Sequence, residues 1–285
     1  VVLFRPSGSQ KLEEFASDGS ADVSLLGAAL FQVADRDGEP GAEISYLVNT
    51  CTANICTSFV RVQSWDGTAW RDIGPADNGI PNIDRVQFEG EAALSRLLIH
   101  GGKLDIAAGP TRAATYVYEL SGGRYRLAAT EYDPPEYLFH AVLDADALFA
   151  KARFEEAIAA YNRLIGASGL RDWKAETGRG AGRPALEGYA LFRIAVATAA
   201  LGHDPTEAID RAIREGKEIV FSIAAQEFRK GYQEHGNVIA GCAAATRYLG
   251  TIGDGADTPA YIARLFDYGY ANQPGKTYRD ICHLP

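Results

Sequence analysis

The feature that most constrains this chain is the break at Asp133-Pro134-Pro135, where the spacing of apolar residues changes from two to about 3.6. Proline fixes φ, removes an N–H donor and pushes the residue before it out of the helical region, so no regular element runs through this point. Before it stand short apolar runs separated by turn residues: Leu25 to Val33, Ile44 to Val48, Phe59 to Ser64, Arg85 to Phe88, Arg96 to His100, Thr115 to Leu120 and Tyr125 to Ala129. After it, Leu138, Val142, Ala145, Leu148 and Phe149 fall on one face of a helix. The pattern predicts an α+β protein of two domains. An antiparallel β domain spans residues 1–132 and an all-α domain spans 137–285, and a chain of 285 residues has room for two separate cores.

Within the first half, Asp66-Gly67 and Gly122-Gly123 sit between apolar segments, where residues that tolerate positive φ let a tight turn follow the twist of its strands. The phrases from Val60 to Trp70 and from Tyr116 to Tyr125 echo each other, which marks an internal repeat of hairpins. Ahead of the first phrase lies Asp35-Arg36-Asp37-Gly38-Glu39-Pro40-Gly41-Ala42-Glu43, an acidic loop that enters an apolar strand. This segment resembles the FG-GAP or VCBS-type repeat of β-propellers and integrin-like proteins. The resemblance implies a partial propeller or sandwich and one structural Ca²⁺, with Asp35, Asp37, Glu39 and Glu43 as side-chain ligands and Gly41 offering its carbonyl. The same acids also read as a solvated turn that binds nothing.

In the second half, Ala147 to Leu164 carries a small residue at Ala157 with Phe154 and Tyr161 beside it, and resembles the second half of a tetratricopeptide repeat. Similar turns follow at Leu201-Gly202 and His235-Gly236, so the resemblance implies three stacked helical hairpins. The excess length between the first two is an insertion, Leu170 to Pro184. Its Arg171, Lys174, Arg179 and Arg183 form the one locally basic stretch of the chain: a loop able to grip an acidic partner, or a solvated loop whose charges only keep it in water. Asp254 to Pro259 signals the start of a last helix ending near Phe266, and the aromatic-rich tail beyond it reads as irregular. The combination is similar to uncharacterised exported bacterial proteins.

Four cysteines fall as two groups, Cys51 with Cys56 and Cys242 with Cys282, an even count that fits a disulfide framework in an oxidising compartment. On this reading the protein is exported, to the periplasm, cell surface or beyond, and the chain is a processed or trimmed product. The alternative is buried free thiols. A net charge of -9 repels nucleic acid, and no apolar run reaches the roughly 20 residues that span a bilayer.

No HExxH, GxSxG or phosphate-binding loop occurs, and His140 with Asp144 one helical turn on reads as a surface ion pair rather than a base and its orienter. The expected function is therefore a non-catalytic interaction or structural module of the cell envelope. The expected partner is a protein or peptide on the helical array, with a glycan as a further possibility. Two alternatives stand beside it: a Ca²⁺-dependent glycan-binding or adhesion protein, and a hydrolase whose catalytic residues carry no local signature.

Overall fold

The computed structural model describes residues 2–4, 12–14, 29–34, 43–51, 56–65, 69–76, 79–90, 95–104, 108–180, 182–252, 261–270, 272 and 274–285. Two compact units result. One contains residues 1–104 and 113–133; the other contains 134–285 together with the short segment 105–112.

In the first unit, strands β1 (Val2–Phe4) and β2 (Leu12–Glu14) pair with each other. A second sheet has the order β3 (Ala29–Ala34), β4 (Glu43–Cys51), β5 (Cys56–Trp65) and β6 (Trp70–Asp72), with β7 (Ile80–Pro81) pairing the start of β5. A third is the antiparallel meander β8 (Arg85–Glu89), β9 (Arg96–Gly101), β10 (Ala114–Ser121) and β11 (Arg124–Tyr132). Alternation decides what faces inward. Ser58, Val60, Val62 and Ser64 of β5, and Leu97 and Ile99 of β9, are buried while their neighbours are not. Val60, Val62, Ile73, Ile80, Leu97, Ile99, Tyr118 and Tyr125 join in one core shared by the two larger sheets.

Both echoed phrases are hairpins: Trp65 lies opposite Trp70 across β5 and β6, and Leu120 lies opposite Tyr125 across β10 and β11. Gly122 and Gly123 have φ of 60° and 71°, the left-handed values that a two-residue hairpin turn demands. The propeller-like, FG-GAP-like expectation is corrected here. Among the described residues no sheet closes or curls, because each is an open antiparallel ribbon ending in edge strands. The repeated sequence unit specifies a hairpin and not a blade.

The second unit is an array of helices. It runs α1 (Leu138–Ala150), α2 (Phe154–Leu164), the short α3 (Trp173–Glu176), α4 (Arg183–Ala200), α5 (Thr206–Glu215), α6 (Ile219–His235), α7 (Val238–Gly250) and α8 (Tyr261–Leu265). The pairs α1/α2, α4/α5 and α6/α7 are hairpins, and α2 packs on α4 as α5 does on α6, so each hairpin covers a face its neighbour leaves open. Ala157 is fully buried at the first crossing, with Tyr161 beside it. At the last, Gly231 of α6 lies so close to α7 that a Cβ there would stand 2.5 Å from the Ala240 carbonyl oxygen. Pro184 occupies the first turn of α4, where its missing N–H costs nothing, and Gly236 ends α6 in the left-handed region with φ of 68°. No described helix is long and apolar enough to cross a membrane.

Candidate functional site

Helix α4 carries the least expected residue of the fold. From Ala185 to Ala197 it is buried on every side, and Arg193 lies within that run only 4% exposed. A guanidinium cannot shed its charge, so burial requires partners. Asp146 of α1 supplies the carboxylate, with Arg193 Nε 3.7 Å from its Oδ1. The same Asp146 accepts hydrogen bonds from the phenols of Tyr161 in α2 and Tyr189 in α4, the latter at 2.8 Å, and from the Lys276 ammonium of the C-terminal segment. Arg193 donates to the Ile281 carbonyl at 2.8 Å and to the Tyr161 oxygen at 3.3 Å, and lies 3.4 Å from the Phe149 ring centre. Burial pushes both phenols far above the ordinary tyrosine range, so at neutral pH they act as donors.

The tail that carries Lys276 is fixed at its far end. Cys282, in a 3₁₀ turn at Asp280–Cys282, is joined to Cys242 of α7, and Ile281 beside it is fully buried. Between α8 and this turn lies a cleft of about 280 Å³ lined by Ala263, Arg264, Phe266, Asp267, Gly275, Lys276 and Thr277. Lys276 belongs to both features: its ammonium reaches back to Asp146 and lies 4.7 Å from the Phe266 ring centre. Burial draws its pKa below the ordinary lysine value, against the pull of Asp146. Asp267 on this lining accepts from the Gly269 N–H at 3.1 Å, while Asp280 of the 3₁₀ turn accepts from the Thr277 N–H and hydroxyl at 2.7 and 2.8 Å and adds its charge to that of Asp146 in favouring the Lys276 ammonium.

The basic insertion is folded inward. Asp172 caps α3 and also receives the Gly182 and Arg183 N–H groups at 2.9 and 2.8 Å, which closes the segment into a compact loop. Arg171 makes a two-pronged pair with Glu176 and covers the Tyr137 ring. Lys174 donates to the Arg264 and Leu265 carbonyls, Arg179 lies over Trp173, and Arg183 is held by the Ala167 and Leu170 carbonyls and Glu187. All four cations are engaged within the helical unit, in place of a free basic face.

Of the acidic loop, Asp35, Asp37, Glu39 and Gly41 lie outside the described residues, as do Asp66-Gly67 and Asp254 to Pro259. Glu43 is 1% exposed in β4 and accepts the Ser64 hydroxyl at 3.0 Å. No cluster of metal-ligating side chains occurs among the described residues. Cys56 is disulfide-bonded, and the residue in register with it across β4 and β5 is Cys51.

His140 and Asp144 do not pair. Asp144 binds Arg112 at 2.8 Å, while the buried His140 bonds the Pro110 carbonyl and is pushed by burial below the usual histidine value. His100 meets two carboxylates, with Asp84 at 2.6 Å on Nδ1 and Asp133 at 3.2 Å on Nε2. The hydrogen bond to Asp84 leads in raising its pKa, with Asp133 adding to it against partial burial. No family model matches the chain, and neither a curated protein nor a solved structure does.

Proposed function

We propose that the protein is a non-catalytic interaction module, exported to an oxidising compartment, whose helical unit holds a protein or peptide partner through hairpins of the tetratricopeptide kind. One observation carries this reading: the C-terminal segment is bolted to α7 by Cys242–Cys282 and leaves a cleft whose lining residue Lys276 is tied to Asp146. The Asp146 cluster is rigid. Asp146 is occupied by three hydrogen-bond donors and the Arg193 guanidinium, which come from two helices and the tail; this suits a fixed wall better than a group that must exchange protons during turnover. Ala157 buried against Tyr161 supports the kinship of the first hairpin, and the absence of a free thiol among the described cysteines supports export.

The test is a random-peptide display selection on the full oxidised chain, followed by binding to an Ala263→Trp variant whose indole fills the cleft. The reading expects enriched peptides that lose binding to this variant. Selection that enriches nothing, or peptides indifferent to Ala263→Trp, would refute it.

A further inference from the structure

The strap from Pro274 to Cys282 is held to the helices as a bound peptide is, by a few side chains and little main chain. Among the described residues one hydrogen bond joins its backbone to the helices, from Arg193 of α4 to the Ile281 carbonyl at 2.8 Å. Its side chains divide into two sets. Gly275, Thr277, Arg279 and Asp280 are exposed, while Lys276, Tyr278 and Ile281 are anchors. Lys276 reaches Asp146 of α1, Tyr278 lies on α7 where a Cβ added to Gly250 would meet its ring at 3.1 Å, and Ile281 is fully buried. Cys282 adds the covalent tie to α7.

What Lys276 fills is a receptor for an ammonium. Asp146 supplies a carboxylate, and the Tyr189 and Phe266 rings stand 5.5 and 4.7 Å from the lysine Nζ. A carboxylate with ring faces beside it suits a primary ammonium on an alkyl stem. All three groups are buried, and none belongs to the strap. They remain matched without it. Asp146 keeps the Arg193 guanidinium and the Tyr161 and Tyr189 hydroxyls, while Lys276 departs together with Asp280, whose charge favours its ammonium when docked. Undocking therefore leaves no unpaired charge in the core. Phe266 also lines the cleft, so a partner seated there stands beside this receptor. We propose that the strap is a tethered self-ligand, and that Asp146, Tyr189 and Phe266 form a receptor for the lysine side chain of an extended partner segment, closed by Lys276 until that segment displaces it. This rests on the interaction-module reading and adds the side chain its partner presents and the contact that holds the site shut. A ligand tied to its site by a short linker faces it at an effective concentration of order millimolar, which a free peptide must outcompete.

The experiment uses the full chain and a fluorescent peptide copying residues 274–285 with Cys282→Ser, read by anisotropy. The Cys242→Ser, Cys282→Ser double variant frees one end of the strap and is expected to bind the peptide at least about tenfold more tightly than the oxidised unaltered chain. A second peptide that also carries Lys276→Gln should bind the double variant at least about tenfold more weakly than the first, as befits a lost charge-assisted hydrogen bond. Lys276→Gln in the full chain, with the disulfide intact, vacates the receptor by another route and should also gain affinity for the first peptide. It keeps the test decisive if the double variant does not fold. Equal binding of the two peptides would overturn the ammonium receptor. No saturable binding to either variant would mean that the strap is a fixed part of the fold and would overturn the self-ligand, while the selection with Ala263→Trp still decides the interaction reading. Binding to the unaltered chain as tight as to both variants would place the peptide at another surface and overturn it equally.

Discussion

Removing the Cys242–Cys282 bond while leaving its surroundings intact should weaken the helical unit by an amount that follows from the loop it closes. The two cysteines are 40 residues apart. Chain-entropy arithmetic for a loop of that length gives about 4 kcal/mol of stabilisation at 25 °C, acting through the unfolded chain. Other ties on the tail remain in the variant: Lys276 on Asp146, the Ile281 carbonyl on Arg193, and the buried Ile281 side chain. The native fold therefore survives and only its margin shrinks. For a unit of this size each kcal/mol corresponds to about 2–4 °C, so the Cys242→Ser, Cys282→Ser double variant should melt roughly 8–16 °C lower. Circular dichroism at 222 nm on the full chain reads this directly. A double substitution is preferable to a reductant, because Cys56 is also disulfide-bonded. A loss below about 1 kcal/mol would refute the reasoning, since it would mean that the cross-link constrains little in the unfolded chain.

Three further outcomes follow from the same contacts. Asp146→Ala strands two buried cations and should cost about 3–5 kcal/mol in urea denaturation, far more than an exposed carboxylate would. Gly231→Ala gains about 1 kcal/mol of helix propensity but drives a methyl into the Ala240 backbone, and should destabilise by a net 1–2 kcal/mol, roughly, in the same assay. His100 has a raised folded pKa, so its contribution is fully present below the ordinary value of 6.5 and is lost as pH rises through the folded value. An NMR titration of the ring protons should place its midpoint above 6.5, and Asp84→Asn should bring it down; a midpoint at or below 6.5 in the unaltered protein would contradict the paired geometry.

The architecture was legible because it is written in local chemistry. The double proline at 134–135, period-two alternation in β5 and β9, and the Gly122-Gly123 turn each act through backbone sterics or one-sided burial. What the echoed hairpins form together was not legible, because ring closure depends on how sheets meet and not on any one turn. The candidate site was hidden for a related reason. Asp146, Tyr161, Tyr189, Arg193 and Lys276 come from three helices and a tail 130 residues from the aspartate, so no spacing links them. One signal was present: a lone charge, Arg193, inside the otherwise uncharged stretch from Gly188 to Ala197, which asks for a buried counter-charge elsewhere. Basic density misled in the other direction. Arg171, Lys174, Arg179 and Arg183 look like a free patch in sequence, yet their heads meet carbonyls, rings and carboxylates of their own unit. His140 shows the same limit, since its helical neighbour Asp144 is taken by Arg112 from a segment that precedes both.

The central claim is that the cleft on the helical unit is where a partner protein binds, and site-specific photocrosslinking tests it most directly. Benzoylphenylalanine placed at Ala263, on the cleft, would be compared in producing cells with the same group at Glu131, an exposed position on β11. The account predicts a discrete protein adduct from position 263, formed on disulfide-bonded chain outside the cytoplasm, and none from 131. Equal adducts from both positions, or none from 263, would contradict it.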